Sequence, residues 1–244
     1  MIATNLSCIL ARRGFSVTLL DLDFRAPSLS VIFSKATNNQ VDCYLNDFLN
    51  SKCDQKQVTI DVSGSYNFKG RLQVGLANPS VPAVQSVTDK SQAWELSAVK
   101  KLFSLISYFE KNLIADYCIL DTSPGIQYSS INALAASDLC LLVMNSDMVD
   151  LEVTRNLLTE VADALNKKTA IVLNKSSPET HLNEAQENDA AKRIEAVLKH
   201  PVVSTIPCYC DVLQADRMTL LAVEKPTHPF IKRLEVVADK IDSL

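Results

Sequence analysis

The sequence predicts an α/β protein, a doubly wound and mostly parallel sheet with helices on both faces. Two observations carry that prediction. Short apolar runs of strand length recur without polar alternation, the pattern of strands covered on both sides. Longer stretches with apolar residues at helical spacing lie between them, and strand–helix alternation of this kind builds parallel sheets. The chain has 244 residues, 47% of them hydrophobic and 21% charged, which is enough apolar material for a sizeable core. No repeat, low-complexity tract or linker divides it, so one domain over residues 1–244 is expected.

The first helix carries Ile2, Leu6, Ile9 and Leu10 at helical spacing and Arg12 and Arg13 in its last turn. Gly14 follows where a left-handed residue commonly ends a helix. The run from Phe15 to Leu20 then reads as a buried strand ending at Asp21. Residues 34–97 are less regular: Tyr44, Leu45, Phe48 and Leu49 suggest a short helix, and Arg71 to Leu76 a strand. The stretch from Ser80 to Gln92 is polar, contains Pro82 and reads as a loop. From Ala98 to Lys111, Val99, Leu102, Phe103, Ile106 and Phe109 fall at helical spacing. Strands are expected over residues 117–120, 139–144, 170–173 and 202–206, with helices over 150–166 and 185–199. The amphipathic segment from Phe230 to Ile241 reads as a closing helix packed on the sheet, in preference to a membrane-binding tail.

Composition narrows the setting. The formal net charge of −4 gives no global attraction to nucleic acid or to an anionic membrane. No apolar run approaches the roughly 20 residues that a spanning helix needs. Seven cysteines are scattered without a CxxC pair or a zinc-like spacing. An odd, dispersed set fits reduced thiols in a reducing compartment, so a soluble cytoplasmic protein is expected.

The chemistry concentrates at strand ends. Ligands of open α/β sheets sit beyond the carboxyl ends of the strands. Here those ends read Asp21-Leu22-Asp23, Asp121-Thr122-Ser123-Pro124-Gly125 and Asn174-Lys175. A single acid after a strand merely starts the next helix or loop. Two acidic ends at one crevice suit a hydrated Mg²⁺, a hard cation held by carboxylates and phosphate oxygens. Asp147, Asp150 and Glu152 cluster at the start of a helix, where acids complement the helix dipole; a dimer or activator surface is the sharper alternative. His181, His200 and His228 are isolated and receive no role.

In ordered combination, the segment from Ile2 to Leu29 with its Asp21-Leu22-Asp23, the segment from Ile119 to Gly125, and Leu173-Asn174-Lys175 resemble the MinD/ParA-type ATPases. These are P-loop proteins with a deviant Walker A motif. The resemblance implies bound ATP and Mg²⁺ and a homodimer formed around the nucleotide, with an unidentified protein partner or activator. It implies that Asp23 positions the attacking water, with Asp21 as its partner on the phosphate side. It implies that Asp121 holds Mg²⁺ through water and that Gly125 gives the switch segment backbone freedom. Asn174 matches the amide that meets the adenine edge, and Pro207, with Ile206 and Asp211, resembles the loop closing over the base. Ser177 stands where a guanine-reading acid would be needed, which favours ATP. The string G-x-x-x-x-G-K-[ST] is absent from the chain. The first strand and its phosphate loop are therefore expected upstream of Met1, and the chain as written is expected to be inactive. The alternatives are a degenerate, non-catalytic scaffold and an ATPase of metal-cofactor assembly, although Cys208-Tyr209-Cys210 does not match the CxxC pair of the latter.

Overall fold

The computed structural model describes the chain outside residues 89, 126, 146–150, 152–153, 157, 159–160, 162–163, 177–183 and 215–218. Contacts group it into two units, Met1–Ala136 with Arg217–Glu224, and Ser137–Asp216 with Lys225–Leu244. The strands form two mostly parallel sheets.

In the first unit, helix α1 (Ile2–Arg13) is buried at every residue from Thr4 to Ala11. It is thus enclosed on all sides, where its spacing predicted one apolar face. Asn5 Oδ1 accepts from the Ala222 amide at 2.8 Å and the Arg12 guanidinium donates to the Ala222 carbonyl at 3.0 Å. These bonds satisfy polar groups that burial would otherwise leave costly. Gly14 ends the helix at φ 108° and returns its N–H to the Ala11 carbonyl.

Strand β1 (Ser16–Asp21) follows as a central strand. The sheet order is β2-β3-β1-β4, with β2 (Thr59–Asp61), β3 (Arg71–Gly75) and β4 (Tyr117–Asp121). Both neighbours of β1 run parallel to it, and β2 pairs antiparallel with β3. Leu20, Leu22 and Phe24 enter one core with Leu45, Leu102 and Phe109.

The helices of this unit are α2 (Leu29–Ile32), α3 (Leu45–Leu49), α4 (Ser63–Tyr66), α5 (Val81–Thr88), α6 (Gln92–Tyr108) and α7 (Tyr128–Ala136). Two of them correct the sequence reading. Helix α5 occupies part of the expected loop, with Pro82 in its first turn, where a missing N–H costs nothing. Helix α6 starts six residues earlier than expected because Ser91 caps it, its hydroxyl accepting from the Trp94 amide at 3.3 Å. The cysteine reading is corrected as well. Cys43 and Cys53 form a disulfide with 6.1 Å between Cα atoms, the chain between them folding back at Ser51, φ 60°.

In the second unit, strands β5 (Leu139–Met144), β6 (Lys168–Ser176) and β7 (Val202–Pro207) form a parallel sheet in that order. Helices α8 (Glu184–Leu198), α9 (Cys210–Gln214), α10 (Leu221–Glu224, counted with the first unit) and α11 (Pro229–Lys240) complete the described set. Helix α11 buries Phe230, Ile231, Leu234 and Val237. It is tied to β7 by the Ser204 hydroxyl donating to the Arg233 carbonyl at 3.1 Å, and by Lys240 donating to the Val203 carbonyl at 2.8 Å. The closing-helix reading therefore holds. Of the helix expected over 150–166, residues 151 and 154–156 are α-helical, while 150, 152–153, 157, 159–160 and 162–163 lie outside the described residues, as do Asp147, Asp150, Glu152 and His181.

Strands β1, β6 and β7 are largely buried, but β4 and β5 are only half-buried over most of their apolar residues. Each of these two is a terminal strand of its sheet among the described residues, as is β7, which the closing helix α11 covers.

Gly70 fixes the approach of β3 to the turn after α1. Its N–H donates to the Ala11 carbonyl at 2.9 Å, and an added Cβ would press on the backbone of Gly14 and Phe15. Backbone cannot yield as a side-chain tip can. Gly70→Ala is expected to destabilise the fold by about 3 kcal/mol, at the upper end of overpacking effects. Chemical denaturation of the two proteins checks this.

Candidate functional site: acidic ends of two paired strands

Parallel pairing sets Asp21 and Asp121 directly opposite each other at the carboxyl ends of β1 and β4. The register continues one step further, where the Leu22 amide donates to the Asp121 carbonyl at 2.8 Å. Asp21 is 1% exposed. Its Oδ1 accepts from the Asp23 amide at 3.1 Å and its Oδ2 from the Leu29 amide at 3.3 Å. These bonds fold residues 21–29 into a loop around the carboxylate. Asp23 is half-buried, and its Oδ1 accepts from the Ala26 amide at 3.1 Å.

The electrostatics are those of a site short of positive charge. Burial, then the neighbouring Asp121, push the Asp21 carboxyl up to about 7, against the pull of its two amide donors. Asp121 is also raised, chiefly by burial and further by Asp23, while the Met1 ammonium draws it back down. A cation near these carboxylates would relieve both shifts. Among the described residues no group of three or more His, Cys, Asp or Glu side chains could hold a metal ion directly. A cation here would therefore keep water and ligand oxygens in its shell, as Mg²⁺ does.

Three hydroxyls carry no signal in the sequence. Thr4 Oγ1, in the first turn of α1, Ser30 Oγ, in α2, and Ser123 Oγ, two residues after Asp121, are buried without a hydrogen-bond partner among the described residues. Orphaned donors of this kind fit a site that meets an anionic or water-bearing ligand. Ser123 stood inside the strand-end segment already singled out, and its burial was the missing signal. Gly125 adopts φ 87° with open space where a Cβ would stand, so the segment after Asp121 turns through a conformation suited to glycine.

Asn174 and Pro207 belong to the second unit. Asn174 is half-buried near the end of β6, and Ser176 pairs with Pro207 across the β6–β7 ladder. The Ser176 hydroxyl donates to the Ile206 carbonyl at 3.0 Å, holding the two strand ends together. Asp211 bonds His228 Nε2 at 2.9 Å, an interaction that lowers the Asp211 pKa. His228, given no role from sequence, also caps α11: its Nδ1 accepts from the Phe230 amide at 3.0 Å.

Paired acidic strand ends on a mostly parallel sheet define an α/β protein that gathers negative charge at its strand ends. The chain belongs to the family of CobQ/CobB/MinD/ParA nucleotide-binding domains, whose profile matches residues 1–218. That match begins at residue 1, so it lends no support to the expectation that a first strand is missing. The chain is 24% identical over 217 residues to the septum site-determining protein MinD of Thermotoga maritima, covering 88% of this chain and 72% of that protein. An uncharacterized protein of Methanocaldococcus jannaschii is 25% identical over 229 residues, covering 88% and 82%. Among solved structures, the Pyrococcus furiosus cell division ATPase MinD superposes with a TM-score of 0.71 at 20% identity, over 99% of this chain and 92% of that one. Aquifex aeolicus MinD gives a TM-score of 0.75 at 16% identity, over 100% and 90%. Likeness at this identity establishes the MinD-like fold.

The raised Asp21 carboxyl has a measurable consequence. The folded protein keeps a proton there that the unfolded chain releases above about pH 4. Stability should therefore fall as pH rises from about 4 to about 7, by on the order of 4 kcal/mol from this group, and stay low above that. Asp21→Asn is expected to flatten that decline and to be the more stable protein at pH 8. Melting temperature against pH for the two proteins checks it.

Proposed function

We propose that the protein is an ATP-dependent dimerisation switch of the MinD/ParA type, taking Mg-ATP at the strand ends that carry Asp21, Asp23 and Asp121. The single observation that carries this reading is the Asp21–Asp121 pair, a buried and a half-buried carboxylate held in register at two strand ends, both raised in pKa chiefly by burial. Asp23 positions the attacking water and Asp121 holds Mg²⁺ through water. Asp21 fixes the loop on the phosphate side, and Gly125 lets the following segment move with the nucleotide's charge. Asn174 meets the adenine edge beside Pro207. The half-buried Asn174 amide makes no hydrogen bond among the described residues, which leaves it available for that role. Bound Mg²⁺ would neutralise charge on the phosphate oxygens. A second copy pairs around the nucleotide, and a protein partner is released on hydrolysis.

Relatives of the same fold support the ligand class. Pyrococcus horikoshii MinD was solved with Mg-ADP, and a Borrelia burgdorferi plasmid partition protein with AMPPNP. A MinC:MinD complex is known from Aquifex aeolicus.

The lysine-bearing string that cradles phosphates is not among the 244 residues. We infer that hydrolysis belongs to a form that also carries such a loop, and that the 244 residues alone turn over no ATP. In the loop-bearing form, Asp23→Ala should lower kcat by at least about 100-fold, the usual scale for lost proton-transfer assistance. Nucleotide Kd should change by less than about threefold. Steady-state phosphate release and calorimetric titration measure the two. A loop-bearing form without ATP affinity would sink the reading.

A further inference from the structure

A second concavity lies within the first unit, outside the carboxylate pair. It has a volume of about 140 Å³. Its floor is apolar, formed by Leu22, Phe24, Leu49 and Leu102, which are all buried. Leu22 and Phe24 are the two chain neighbours of Asp23, so the cavity backs onto the loop that holds the water-positioning carboxylate. Cavities of about 150 Å³ with such a lining hold a benzene-sized ring.

The aromatic wall is fixed in advance. Trp94 donates its indole N–H to Asn50 Oδ1 at 2.9 Å, and the Lys90 ammonium lies 4.8 Å from the indole ring centroid. Lys90 is itself held by Asn50 Oδ1 at 3.1 Å. A wall whose side chains are already ordered loses little conformational entropy on binding.

Charge at the rim is unequal. Arg25 lines the opening, is exposed, and has no anionic partner among the described residues. Lys90 adds a second cation. The one carboxylate, Glu95, is engaged by the Asn132 amide at 3.0 Å, and burial raises its pKa, with Lys90 pulling it back. An apolar floor, a prepared aromatic wall and an unpaired guanidinium recognise a ring that carries a carboxylate. We propose that this cavity is a binding site for a small aromatic carboxylate, distinct from the nucleotide site.

Trp94 is the chain's single tryptophan, so its fluorescence reads the site without background. Phenylacetate titrated into the nucleotide-free protein is expected to change that emission saturably. Arg25→Ala should weaken phenylacetate at least about tenfold, the scale of one charge-assisted hydrogen bond. The same variant should leave the neutral probe 2-phenylethanol unaffected. Ala98→Leu, which fills the floor beside Leu102, should abolish binding of both probes; Leu49→Phe fills the floor from another segment should the first variant fold poorly. The proposal is overturned by an emission change that does not saturate up to the solubility of phenylacetate. It is equally overturned by Arg25→Ala binding phenylacetate as tightly as the parent. The titration needs no nucleotide, so its failure and a failure of ATP binding are separate results.

Discussion

Parallel pairing of β1 with β4 commits the molecule to holding Asp21 beside Asp121. Shifting either strand by one residue would separate the carboxylates and exchange the side chains packed on the two faces. Close packing on both faces of β1 resists such a slip, since Val17, Leu19 and Leu20 are all at most 1% exposed. The core that stabilises the strand thus also fixes the acid pair, and the fold bears the electrostatic cost of the site. That cost is limited by the two backbone amides donated to Asp21, and those same bonds shape the loop that carries Asp23. One constraint thereby links packing, local backbone shape and the chemistry of the strand ends.

Helix α1 repeats the logic on a smaller scale. A helix buried around its whole circumference has no solvent face for polar side chains, so each must find a partner. Asn5, Ser7 and Arg12 find theirs in Met1, Ala3 and Ala222. Thr4 does not. The exception sits in the first turn, the end of the helix where backbone N–H groups are unspent.

Much of this was legible in the sequence because it rests on local pattern. Unbroken apolar runs ending in Asp21 and Asp121 marked both the strands and the site, and Gly14 marked the end of α1. What stayed hidden depends on distant partners. Strand β2 has only three residues and exists because β3 offers an edge. Helix α5 was concealed by Pro82, which reads as a breaker unless the helix start is known. The Cys43–Cys53 disulfide crosses an irregular stretch with no periodicity to align its ends. The cavity beside Trp94 draws on four separate segments, and only the one at Leu22 touches a motif. Asp21 could be named from sequence, but its raised pKa could not, because burial and the facing acid are properties of the assembled sheet.

The cap on α11 carries one more consequence. Nδ1 of His228 accepts a hydrogen bond from the Phe230 amide, so that nitrogen must present a lone pair. The ring proton then resides on Nε2 and is donated to Asp211. Two structural partners thereby select one tautomer of a side chain that in solution exchanges freely between two. The imidazole acts as a directional connector, polarised from the start of the closing helix towards the first turn of α9.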